Sequence, residues 1–121
     1  MAPSTHATAR RLSEAYRPVL RRLGVTRPQY LLLALLWERD GSTPRRLARR
    51  LHVSEGAVTT WLAELEATGL VEQDGTATPP DVWLTPRGRA LQQQAPQVPS
   101  ALLCHVLAHL DEEARTHPES H

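Results

Sequence analysis

The stretch Thr43–Leu70, TPRRLARRLHVSEGAVTTWLAELEATGL, reads as a helix, a tight turn and a second helix. Thr43 is a good N-cap, and Pro44 suits the first helical position. Leu47 and Leu51 repeat at i, i+4 on one apolar face. His52-Val53 supplies the turn, and Ser54 caps the next helix. There Val58, Leu62 and Leu65 fall at i, i+4 and i+7. Gly69 stands where a helix needs a left-handed C-terminal residue. The other face of the second helix is small and polar: Ser54, Glu55, Gly56, Thr59, Thr60 and Ala63. A helix with leucines on one side and short side chains on the other fits the DNA major groove.

Outward from this unit, Ser4 to Leu23 reads as a first helix, with Leu12, Tyr16, Val19, Leu20 and Leu23 at helical spacing. Pro18 is expected to kink or divide it. Thr26 caps a second helix running to about Asp40. Its run Tyr30-Leu31-Leu32-Leu33-Ala34-Leu35-Leu36-Trp37 is apolar on every side, the pattern of a helix buried all round. Downstream of Gly69, Leu70–Gln73 and Val82–Thr85 read as two short strands joined by a Gly/Pro loop, which makes a wing. Thr85-Pro86 opens a helix to about Ala95. Ser100 caps a last one to about Arg115, with Leu103, Val106, Leu107 and Leu110 on one side.

The chain of 121 residues is read as one domain, mainly α with a small two-stranded wing. The winged helix-turn-helix spans about 26–86. The helices at 4–23 and 86–115 keep apolar stripes that a second copy would cover, so a homodimer is expected. All 14 basic residues are Arg, and the net charge of +1 says nothing by itself about nucleic acid. The clustering is more informative. Arg45, Arg46, Arg49 and Arg50 share one short helix beside the small-faced one, as phosphate contacts would. The single Cys fits a reducing cytoplasm. No signal peptide or membrane span is visible. No nucleophile–base set, phosphate loop or carboxylate pair appears, so no enzyme and no cofactor are expected. His105 and His109, at i, i+4 beside Cys104, lack a further ligand, and no metal site is assigned.

Several local runs resemble the MarR family, and within it the OhrR-type branch. They are Ala15-Tyr16-Arg17-Pro18, Thr26-Arg27-Pro28-Gln29-Tyr30-Leu31 and Leu35-Leu36-Trp37-Glu38. Gly56, Thr59, Leu62, Leu65-Glu66, Gly69-Leu70-Val71 and Leu84-Thr85 with Gly88 continue the match. The resemblance covers residues from about 9 to about 100. It implies a dimer, a winged helix-turn-helix on a palindromic operator, usually repression, and release by an effector or oxidant. It puts an effector site near Tyr16, Arg17, Arg27 and Trp37.

Three departures stand out. The reactive Cys of the OhrR-type branch would fall near Ala2 and is absent. Arg27 replaces one of the tyrosines that support it. The chain also has no Arg or Lys between Arg50 and Arg87, so the wing lacks the family's cation. The alternative reading is therefore a dimer of the same fold that has lost strong DNA binding and pairs with another regulator.

Overall fold

The computed structural model describes residues 5–76 and 80–96. The elements are α1 (Thr5–Leu23), α2 (Arg27–Glu38), α3 (Pro44–Leu51), α4 (Glu55–Ala67), β1 (Val71–Gln73), β2 (Val82–Leu84) and α5 (Pro86–Ala90). A 3-10 turn follows at Leu91–Gln94. The expected last helix from Ser100, with Cys104, His105 and His109, lies outside the described residues.

Helix α2 is the centre of the packing. Tyr30 through Leu36 are all buried. Its start is fixed by a reciprocal cap in which Thr26 accepts from the Gln29 amide and Gln29 accepts from the Thr26 amide. Burying seven consecutive side chains obliges neighbours on every side of the helix. Leu47 and Leu51 of α3, Val58, Leu62 and Leu65 of α4, and Val71, Val82 and Leu84 of the wing join it in one core. At about 1.5–3 kcal/mol for each fully buried Leu or Val, this burial is the main favourable term in folding.

Helix α1 runs through Pro18 without division. The proline lacks the N–H that would reach the Glu14 carbonyl. Both residues are exposed, so water can serve that carbonyl. Tyr16 and Val19 face the core. Rings of Tyr16 and Tyr30 meet at 5.4 Å between centroids, and Tyr30 meets Trp37 edge-on at 5.7 Å. The Trp37 indole N–H donates to the Gly88 carbonyl at 3.0 Å, so the aromatic chain also holds α5.

In the wing, β1 and β2 are antiparallel, with Val71 opposite Leu84, Glu72 opposite Trp83 and Gln73 opposite Val82. Ser42, just before α3, forms a backbone bridge to Val82. Asp40 ties the same region together. One carboxylate oxygen accepts from the Gly41 and Leu84 amides at 3.0 and 2.9 Å. The other accepts from Arg89 at 2.6 Å. One side chain thus joins the end of α2, the wing and α5.

The expected helix from Pro86 to about Ala95 is shorter as an α-helix and finishes as the 3-10 turn. Pro96 forces Ala95 into an extended conformation (φ −102°, ψ 147°), and the last turn tightens before it. Gly88 lies against the chain where β1 begins, and a Cβ there would collide with the Leu70 carbonyl. Gly88→Ala is expected to destabilise the fold by about 2 kcal/mol or more, read as a fall in the denaturant midpoint.

The two tyrosines generate a second expectation. Burial, the larger cause for each, holds both hydroxyls above the ordinary value of 10.0, and the neighbouring Tyr16 adds to the rise at Tyr30. The folded state therefore keeps these protons to higher pH than the unfolded chain. Stability is full below about pH 10 and falls as pH rises further, by up to about 1.4 kcal/mol per pH unit for each tyrosine. The chain has no lysine to obscure this window. Denaturant titrations between pH 9 and 11 should show the fall, and Tyr16→Phe should reduce it.

Candidate nucleic-acid interface

Helix α3 begins at Thr43, whose hydroxyl accepts from the Arg46 amide at 3.2 Å. Its amphipathicity is sharp. Leu47, Ala48 and Leu51 are buried, while Arg45, Arg46, Arg49 and Arg50 are exposed. The helix ends on His52 in the left-handed conformation (φ 57°), with the His52 amide donating to Arg49 and the Val53 amide to Ala48. A non-glycine residue rarely adopts this geometry. Here it turns the chain sharply enough for Ser54 to open α4 two residues later.

The Ser54 hydroxyl accepts from the Ala57 amide at 3.1 Å. Val58, Leu62 and Leu65 point into the core, and Trp61 is half-buried against it. Ser54, Glu55, Gly56, Thr59, Thr60 and Ala63 are exposed. All residues expected to read bases therefore lie on the solvent side of one helix. The Thr59 hydroxyl donates to the Glu55 carbonyl at 2.9 Å and the Thr60 hydroxyl to Gly56 at 3.1 Å. Gly56 has open space where a Cβ would stand.

Beside this helix the charge is uncompensated. Among the described residues, Arg39, Arg45, Arg46, Arg49 and Arg50 form no ion pair or side-chain hydrogen bond. Arg46, Arg49 and Arg50 line a concavity of about 290 Å³ with Arg39, Ser42, Leu35 and Leu47. Arg45 is on the same helix outside it. Sequence reasoning missed Arg39 and Ser42. They sit before α3 in the chain, and only the turn through Gly41 brings them to it. That turn has positive φ (74°), and the Trp83 ring lies over Gly41 so closely that a Cβ would be 2.5–2.9 Å from its carbons. Both conformation and space require glycine there.

The wing carries Glu72, Asp74 and Asp81 and no cation among its described residues. Trp83, 42% exposed, is its large apolar surface group. The residues expected near an effector are dispersed in character. Tyr16 is buried and Trp37 half-buried, one on each side of Tyr30; Arg17 is exposed, and Arg27 opens α2. The buried Tyr16 hydroxyl makes no hydrogen bond of standard geometry. No described helix is long and apolar enough to cross a membrane.

Comparison with known proteins fits this geometry. The MarR family model matches residues 25–74, from the start of α2 through the wing's first strand. The organic hydroperoxide resistance transcriptional regulator of Bacillus subtilis is 32% identical over 103 residues, covering 81% of this chain and 69% of its own. The HTH-type transcriptional repressor Rv2887 of Mycobacterium tuberculosis is 37% identical over 93 residues, covering 73% and 66%. Its crystal structure superposes with a TM-score of 0.59 at 28% identity, over 90% of this chain and 79% of that one. AbfR of Staphylococcus epidermidis, solved bound to DNA, shares the fold with a TM-score of 0.64 at 24% identity, over 94% and 82%. With its paired helices, short wing and a third of its residues shared with the Bacillus regulator across most of both lengths, this chain belongs to the MarR family.

Proposed function

We propose that the protein is a DNA-binding transcriptional regulator, acting as a homodimer on a palindromic operator and lowering transcription there. The observation that carries this reading is the junction of α3 and α4. A cluster of arginines with no partner in their own chain stands beside a capped helix whose exposed face has no bulky side chain. Guanidinium groups without carboxylates seek anions, and backbone phosphates present them at regular spacing. A face without long side chains lets the α4 backbone approach base edges. The relatives' names and the DNA-bound AbfR structure support the same reading. In a two-fold dimer the two α4 helices would enter successive major grooves about 34 Å apart.

In this reading α4 supplies selectivity through Ser54, Glu55, Gly56, Thr59 and Thr60. Arg45, Arg46, Arg49 and Arg50 supply grip. The acidic wing favours a second reading, a dimer with weak DNA affinity that pairs with another regulator. Salt-dependent binding of duplex DNA separates the two. The first reading requires a two-fold footprint on the protein's own promoter region; absence of binding below micromolar protein supports the second.

Replacing Arg49 and Arg50 together by Ala should weaken binding to all duplexes alike. It should also flatten the plot of log affinity against log salt by about 2. A loss confined to one sequence would contradict the assignment of these arginines to phosphates.

Gly56→Ala distinguishes a reading face from an ordinary solvated one. The site is helical with open space around it, so the substitution should stabilise the fold by about 1 kcal/mol. On a face that meets DNA, the same methyl should weaken specific binding. A more stable protein with unchanged DNA affinity would show that Gly56 does not approach the duplex.

A further inference from the structure

We propose that α4 reads DNA through methyl groups and hydrogen-bond acceptors, so that its half-site is specified by thymine methyls and by the amino groups of cytosine or adenine, without direct contact to guanine. This rests on α4 being the DNA-reading helix, and goes beyond it by naming which base edges that helix can recognise.

The inference comes from the state of the hydroxyls. A threonine hydroxyl has one proton. Those of Thr59 and Thr60 are spent on the Glu55 and Gly56 carbonyls, at 2.9 and 3.1 Å. Neither can donate to a base without breaking that bond. With the oxygen turned toward the preceding helical turn, the second branch at Cβ, the Cγ2 methyl, faces away from that carbonyl. Both residues are exposed, as is Ala63 one turn on. What they offer a groove is methyl surface and oxygen lone pairs.

The rest of the helix agrees. From Glu55 to Ala67 there is no Arg, Lys, Asn or Gln. Guanine presents N7 and O6 in the major groove, both acceptors, and its usual readers are Arg and Lys. Glu55, exposed in the first turn, is an acceptor matched to the amino group of cytosine N4 or adenine N6. Thymine is the base that carries a C5 methyl, the complement of a methyl surface. Two donors are accounted for elsewhere. The Ser54 hydroxyl keeps a free proton but sits at the helix N-terminus, a position suited to phosphate. The Trp61 indole lies on the flank packed against the core.

The test uses the full-length protein and duplexes it recovers from a random-sequence library. Each thymine of a recovered duplex is replaced in turn by uracil, which removes only the methyl. Each guanine is replaced by 7-deazaguanine, which removes only the N7 acceptor. Uracil at one or more positions of each half-site is expected to weaken binding by about three- to tenfold, the scale of one buried methyl. The 7-deazaguanine substitutions should have no such effect. Thr60→Ser keeps the hydroxyl and removes the methyl; with it, thymine and uracil should bind equally at one of those positions. Tolerance of uracil throughout, or a loss with 7-deazaguanine, overturns the inference and leaves the DNA reading intact. Failure to recover any duplex overturns both.

Discussion

The structure depends on the burial of α2. A helix with apolar side chains all round its axis cannot lie on a surface, and Tyr30 through Leu36 are buried accordingly. Every neighbouring element must present an apolar side to it. For α3 that side is Leu47 and Leu51, and for α4 it is Val58, Leu62 and Leu65. The arginines of α3 and the small residues of α4 are left outside by the same choice. The outward face is a consequence of the core, because a one-sided helix has nowhere else to put its polar residues.

Much of this was legible in the chain itself. The caps at Thr26, Thr43, Ser54 and Thr85 each accept the backbone hydrogen bond that their spacing from the following apolar run suggested. The two wing strands fall where short β-rich runs flank a Gly/Pro loop. What was not legible depends on distance along the chain or on rare backbone geometry. Asp40 bonds to the Leu84 amide 44 residues away, and no local pattern announces such a contact. Arg39 and Ser42 join the α3 arginines only because a glycine turn folds them back. The left-handed His52 is a position where glycine or asparagine would have been easier to foresee. The set Tyr16, Arg17, Arg27 and Trp37 came from family resemblance, and in the fold these residues differ widely in burial.

The distribution of charge has a mechanical meaning. In this chain the wing contributes acids and one exposed tryptophan, and the positive charge is concentrated around α3. Grip and selectivity are then separated. Arginines that bind phosphate carry no sequence information, whereas α4, lacking cations, adds selectivity with little electrostatic attraction. Such a protein should depend on salt through α3 and on sequence through α4. Asp40 keeps the two helices and the wing in one rigid arrangement, since its carboxylate joins the end of α2 to β2 and α5.

The central claim is that the exposed face of α4 lies against DNA. Photo-crosslinking tests it most directly, with a photoreactive amino acid placed at Ala63 in one preparation and at Ala15 in another. Both positions are exposed in the single chain, the first on α4 and the second on α1. With a duplex that the protein itself selects, crosslinks to DNA should form from position 63 and not from position 15. DNA crosslinking from position 15 alone, or from neither position under conditions where the duplex is bound, would contradict the account.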